Sequence, residues 1–308
     1  MEKNGKIVLG AILISIAAIL WGFDGVVLTP RLGNLNISFV VFVLHLFPFV
    51  LMNIFLFNRY KLLKDLSRIE TIALFGVAVF GGALGTVSIV KALFLVNFQS
   101  LSIVVLLQKL QPIFAILLAA TFLKERLGKN FLLYAGLAIL AGYFLTFGFS
   151  LPKLHEDQNT LLAAMYSILA AFSFGSSTVF SKRLLQKLDF LSATFFRYGL
   201  TTIIMLIFVL GNGTISDFQN ITVLNWWIIA IISLTTGSGA ILLYYYGLKH
   251  VKAIISTVSE LFFPISAIFF DFIFNNHILS LVQWLSAAVM VFAIVRLNAD
   301  NKKRKAEA

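Results

Sequence analysis

Of 308 residues, 60% are hydrophobic and only 12% are charged, with a mean hydropathy of +0.96; a soluble domain of this size has no use for so much apolar surface. The net charge of +11 is carried mainly by short segments between apolar runs, so it reads as a topology signal and not as a nucleic-acid surface. The absence of cysteine excludes disulfides and thiol chemistry.

Crossing about 30 Å of hydrocarbon takes about 20 residues of helix. Apolar runs near that length place helices at 7–28, 37–57, 70–91, 99–122, 131–149, 160–181, 190–210, 226–248, 253–274 and 280–297. The first is too long for a signal-peptide core and continues through Trp21, Gly22 and Asp24 without a small-x-small cleavage site, so it reads as helix one. The interruptions are short. The longest, 211–225, is polar, with Asn212, Gly213 and Asp217, and leaves no room for an extramembrane catalytic domain.

Basic loops stay cytoplasmic. With both termini inside, most of the 24 Lys and Arg share that side: Lys3, Lys6, Arg59, Lys61, Lys64, Arg68, Lys124, Arg126, Lys129, Lys182, Arg183, Lys187, Lys249, Lys252, Arg296 and the tail. Only Arg31, Lys91 and Lys153 fall outside, and Lys109 and Arg197 lie within helices. The expectation is an all-α, multi-pass protein of the cell (inner) membrane with ten transmembrane helices, ending in a basic cytoplasmic tail at 298–308. The cluster Lys302, Lys303, Arg304 and Lys305 is either topogenic or a contact for anionic lipid.

The chain repeats internally. Gln108-Lys109-Leu110-Gln111-Pro112-Ile113-Phe114-Ala115 corresponds to Glu260-Leu261-Phe262-Phe263-Pro264-Ile265-Ser266-Ala267, with Pro112 and Pro264 152 residues apart. Similar spacing relates Gly81, Gly82 and Gly85 to Gly237 and Gly239, and, with one gap, His45 to Arg197. The units are 7–149 and 160–297. Five helices is an odd number, so the second unit runs through the membrane inverted, and its loops 211–225 and 275–277 lack the basic residues of their counterparts. Such inverted repeats place a substrate site near the midplane between the halves, which rock to expose it alternately.

These residues also carry a resemblance. Trp21-Gly22 closing an apolar run, Arg197 in the second helix of a unit, Glu260 four residues before Pro264, Lys124-Glu125-Arg126 after the fourth helix, and Gly136 to Gly142 in the fifth resemble the drug/metabolite transporter superfamily and, within it, the EamA family. Two EamA-like units cover nearly the whole chain. The resemblance implies a ten-helix inner-membrane transporter without ATPase parts, whose relatives move amino acids, sugars, nucleotide derivatives or other metabolites, often outward. The sequence departs from the family pattern at three places: His45 stands for an Arg, Gln108 for an acid and His277 for a Glu.

A charge at a helix centre costs about 2.5 to 3.5 kcal/mol even on the lenient insertion scale, so each needs a partner or a wet cavity. Lys109 and Glu260 are the deepest charges; they form either a substrate site or an ion pair locking the repeats. Gln108, Gln111 and Pro112 share a helix face, and proline frees a carbonyl one turn earlier, as does Pro264; the amides either line the site or bond neighbouring helices. Arg197 suits a carboxylate or helix-end carbonyls. Trp21 is deep enough to line a cavity, and one of Tyr244, Tyr245 and Tyr246 can reach it. Asp271, eleven residues after Glu260, falls on nearly the same face and is an outer gate or an interfacial acid. Asp24 is a gate candidate or an interfacial acid, and His45 a proton relay or a hydrogen-bonded structural histidine. Gly81 and Gly85, with Ser233 and Gly237 opposite, have spacing for close helix contact.

Enzyme motifs are missing: Thr236-Gly237-Ser238-Gly239 with His250 or His277 fails as a serine-protease pattern, and there is no HExxH, aspartate pair or nucleotide loop. No cofactor or metal is called for. The expected function is secondary active transport, by export, of a small polar metabolite. The mixed charges favour an amino acid or related zwitterion, with Glu260 as the carrier of any coupled proton. The partners are that substrate and membrane lipid, with a homodimer left open. The alternatives are a channel, a lipid scramblase or, last, an intramembrane enzyme.

Overall fold

A computed structural model describes residues 2–96, 104, 107–108, 110–125, 130–149, 158–276, 278 and 280–306. All regular structure among them is helical. In chain order the helices are α1 (Gly5–Leu32), α2 (Ile37–Asp65), α3 (Arg68–Leu95), α4 (Gln111–Phe122), α5 (Phe131–Phe147), α6 (Gln158–Leu184), α7 (Phe190–Gly211), α8 (Val223–His250), α9 (Ala253–Asn275) and α10 (Leu281–Ala306). Seven are long and apolar enough to cross a membrane, while α4, α5 and the apolar part of α10 are shorter. Large apolar side chains such as Ile54, Phe55, Ile207 and Leu281 point outward. An apolar belt of this extent belongs against lipid, because water would leave it as an aggregation surface.

Caps, invisible to a hydropathy reading, set several ends. The Asn36 side chain accepts from the Ser38 N–H at 2.9 Å to open α2. Ser67 with Glu70, and Thr222 with Asn225, close reciprocal capping boxes on α3 and α8. Asp189 accepts from the Ser192 N–H at 3.0 Å to start α7. The Thr222 cap explains why α8 begins three residues before the apolar run suggests.

Helices α1, α3, α8 and α9 depart from regular α geometry over part of their length. α1 switches to π geometry over Asp24–Leu28 and to a 3₁₀ turn over Thr29–Leu32; α3 is π over Val77–Leu84 and α8 over Ser233–Gly237. α9 stops at Ser259 and resumes at Phe262, because Pro264 has no N–H for the Glu260 carbonyl, which accepts the Phe263 N–H at 2.9 Å instead. Pro112 does the same before α4, where the Leu110 carbonyl takes the Ile113 N–H at 2.9 Å. Matched positions of the two repeats are therefore irregular: α3 with α8, and the entry to α4 with α9.

The packing is exchanged between the units. α1 lies against α8 and α9, and α6 lies against α3 and α4, so the first helix of each unit completes the other; α2 pairs with α7 and α5 with α10. Small residues allow the close approach. Gly10 and Gly247 meet backbone to backbone, and a Cβ on Gly82 would collide with Thr201 of α7. Gly81 faces Ser177 of α6 and Gly85 faces Phe174. This corrects the expected contact with Ser233 and Gly237: the glycine-bearing stretches of α3 and α8 are π segments that pack on other helices.

Each end is tied by polar contacts. At one, Arg59 pairs with Asp189 at 3.0 Å. Lys182 donates to the Leu248 carbonyl at 2.7 Å and to that of Val251, and the Glu125 carboxylate accepts the Ala253 and Ile254 N–H groups at 3.0 and 3.2 Å. At the other, the Asn34 and Asn225 amides bond reciprocally at 3.0 Å, and Asp217 accepts the Asn36 N–H at 2.6 Å.

Candidate functional site

The irregular stretches of α1, α3, α8 and α9 and the proline-marked entry to α4 surround a cavity of about 260 Å³. Its walls also take residues from α2, α6 and α7. Non-helical backbone at membrane depth is tolerated where it lines such a cavity, since the freed carbonyls and amides find partners there. The volume is just below the roughly 300 to 1,000 Å³ of pockets that enclose drug-sized ligands.

One part of the wall is an amide and acid cluster. Gln111 Nε2 donates to Glu260 Oε2 at 2.6 Å, joining α4 to the break in α9. Glu260 Oε1 and Gln108 Oε1 are buried and accept no hydrogen bond among the described residues. The Tyr244 hydroxyl, which shares a 2.8 Å hydrogen bond with Thr178, lies beside the Glu260 carboxylate. Trp21 packs on Tyr244 with ring centroids 5.5 Å apart, giving this part an aromatic floor. Pro112 and Pro264 both line the cavity.

A second part is built from α1, α2, α7 and α8. Asp24 opens the π segment of α1 and accepts from the Thr29 hydroxyl at 2.9 Å. His45 donates from Nδ1 to the Val41 carbonyl at 2.8 Å and stacks near Tyr198, 5.0 Å between centroids. Arg197, buried, donates through Nη1 to the Tyr245 hydroxyl at 3.1 Å and through Nη2 to the Gly81 carbonyl at 2.8 Å, a carbonyl of the π segment of α3. Thr236 adds a hydroxyl from the π segment of α8.

The residues singled out from the sequence divide accordingly. Trp21, Asp24, His45, Gln108, Gln111, Pro112, Arg197, Glu260 and Pro264 all line this cavity. Lys109 lies outside the described residues, as do Arg126, Lys129, Lys153 and His277. Asp271 is not part of the wall: it accepts from the Asn275 amide at 2.6 Å near the far end of α9. Eleven residues of helix, about 16 Å, separate Asp271 from Glu260, which puts it beyond the cavity whatever face it shares. Of the three consecutive tyrosines, Tyr244 reaches the cavity, Tyr245 holds Arg197 and Ser181, and Tyr246 packs on Phe190. Thr29, Thr86, Phe174 and Ser177 line the wall without having been singled out. Uncharged hydroxyls and Phe are common throughout such helices, and only the π segments beside them give their position away.

A multi-pass integral membrane protein with a partly polar cavity between interlocked helices is a solute-handling protein. The chain belongs to the EamA-like transporter family, which matches residues 8–147 and 161–299. It is a transporter, and nothing in that membership points to an enzyme. It is 51% identical over 294 residues, 95% of this chain and 98% of the relative, to the riboflavin transporter ImpX of Fusobacterium nucleatum subsp. nucleatum. A solved crystal structure shares the fold at a TM-score of 0.65 and 15% identity, covering 97% of this chain and 99% of that one.

Proposed function

We infer that this protein is a secondary transporter of a flavin, working by alternating access across ten membrane-spanning helices with both termini cytoplasmic. The carrying observation is the cavity itself. It joins an aromatic floor of Trp21 and Tyr244 to an amide and acid cluster on α4 and α9 and to a separate set of hydroxyl, carboxylate and guanidinium groups on α1, α2, α7 and α8. A flavin has the matching parts: a flat tricyclic ring, a polar heterocyclic edge and a hydroxylated chain.

The 51% identity to a relative named as a riboflavin transporter supports the same substrate. An amino acid fits less well than the charge count suggests, because both terminal nitrogens of Arg197 already donate within the protein, to Tyr245 and to Gly81. The inverted units 7–149 and 160–297 supply two arrangements of one site, the basis of alternating exposure. Glu260 carries the coupled proton: a proton and a substrate N–H compete for one carboxylate, which is the arrangement of an antiporter and suits export. A Glu260→Gln variant that transports at the wild-type rate with unchanged pH dependence removes Glu260 from that role.

The test is flux from proteoliposomes loaded with riboflavin, amino acids and nucleosides together, followed by fluorescence and mass spectrometry. Saturable riboflavin flux, accelerated by unlabelled riboflavin on the far side, is the expected result. Flux of all solutes alike, without exchange, would make the protein a channel.

A further inference from the structure

The amide and acid cluster is incomplete in a way that specifies what completes it. An ionised carboxylate only accepts hydrogen bonds. The Glu260 carboxylate is held by Gln111 Nε2, which donates to Oε2, and by the neighbouring Tyr244 hydroxyl, while buried Oε1 has no partner within hydrogen-bond distance among the described residues. That bond also fixes the Gln111 amide, since its nitrogen must face the acid. The Gln108 amide is the second group with a buried polar atom left unpaired, and a half-turn of that amide puts its N–H at the same position, where it donates and does not accept. Unpaired buried polar atoms cost about 1 to 3 kcal/mol each, and both line the cavity beside the aromatic floor of Trp21 and Tyr244.

We propose that Gln108, Gln111 and Glu260 read the imide edge of the substrate, an N–H flanked by two carbonyls on a flat ring. The N–H of that edge donates to Glu260 Oε1, and the flanking carbonyls accept from the Gln108 and Gln111 amide N–H groups. The rest of the ring lies against Trp21 and Tyr244. The reader spans the junction of α4 and the break in α9, matched positions of the two repeats, so one bound edge joins both units. Here Gln108 supplies an amide where the second repeat has Glu260: one acid and two amides fit an edge with one donor and two acceptors, whereas a second acid would repel the carbonyl. This inference rests on the flavin reading above and goes further by assigning which edge is held and by what.

The experiment is a binding titration on the full-length purified protein in nanodiscs, following quenching of flavin fluorescence with riboflavin and with 3-methylriboflavin, which differs only by a methyl on the imide nitrogen. The proposal expects methylation to weaken binding to the wild type at least tenfold. It expects that ratio to fall below threefold in Glu260→Gln and Gln108→Ala proteins that retain the wild-type elution profile and helicity. Wild-type binding of both flavins within threefold overturns the imide reader and leaves the flavin reading standing. Absence of saturable riboflavin binding by folded wild type overturns both. The wild-type comparison needs no variant, so a misfolded mutant does not blunt the test.

Discussion

Arg197 shows how a buried charge is stabilised inside the bilayer without an acid to pair with. Its two terminal nitrogens tie α7 to the Tyr245 hydroxyl of α8 and to the Gly81 carbonyl in the π segment of α3, and its Cζ lies 5.8 Å from the Tyr245 ring centre. Replacing it by Ala removes both of these charge-assisted hydrogen bonds and costs about 2 to 3 kcal/mol, visible as a drop of several degrees in the melting temperature in detergent. Lys does not restore the loss, because one ammonium lacks the planar fork; full recovery by Lys would refute the two-point role.

Asp189, at the membrane surface, is a titrating cap. Burial pushes its carboxyl up, but the Ser192 N–H and hydroxyl and the Arg59 charge outweigh that and hold it below the usual carboxylate range. A lowered folded pKa contributes stability that is present above the unfolded value of about 3.9 and is lost as the pH falls through the folded one. Thermal stability of the wild type should therefore fall toward that of Asp189→Asn as the pH drops below about 4. A double-mutant cycle with Arg59 should give at most about 1 kcal/mol, since the side chains are 41% and 36% exposed. Glu260, Gln111, Pro112 and Pro264 were legible in the sequence, because polar groups and prolines in an apolar run need a reason. Asp271, an outer gate or an interfacial acid on the sequence alone, lies off the cavity wall near the far end of α9.

The elements are apolar helices whose departures from regularity position the site. Those departures were only half legible: Pro112 and Pro264 announce two of them, but the π segments at Asp24–Leu28, Val77–Leu84 and Ser233–Gly237 follow from what packs on them. Gly82 is the clearest case, since Thr201 occupies the space a Cβ would need. Gly82→Ala should cost about 1 to 3 kcal/mol by overpacking. In the background of Thr201→Gly, which removes the obstruction, the same change should cost almost nothing; equal costs in both backgrounds would mean the contact is not what requires glycine.

At the scale of the whole molecule, the interlocking of α1 with α8 and α9, and of α6 with α3 and α4, makes the two repeats one body with ties at both ends. If access alternates, the ties must break in turn. The chain has no cysteine, so a pair can be introduced cleanly. Bridging Asn34→Cys and Asn225→Cys, whose amides bond at 3.0 Å, should cut riboflavin flux at least tenfold, with recovery on reduction. Undiminished flux through the bridged protein would exclude a moving gate at that end.

The sequence by itself determined the multi-pass membrane class, the family and the ionisable residues that line the cavity, because hydropathy and the cost of intramembrane charge act on local residue identity. Only the tertiary structure decided which of those residues meet. The pairing of Gln111 with Glu260 and the capture of Arg197 by Gly81 join residues 149 and 116 positions apart in the chain, and such contacts are set by how helices pack and not by local residue identity.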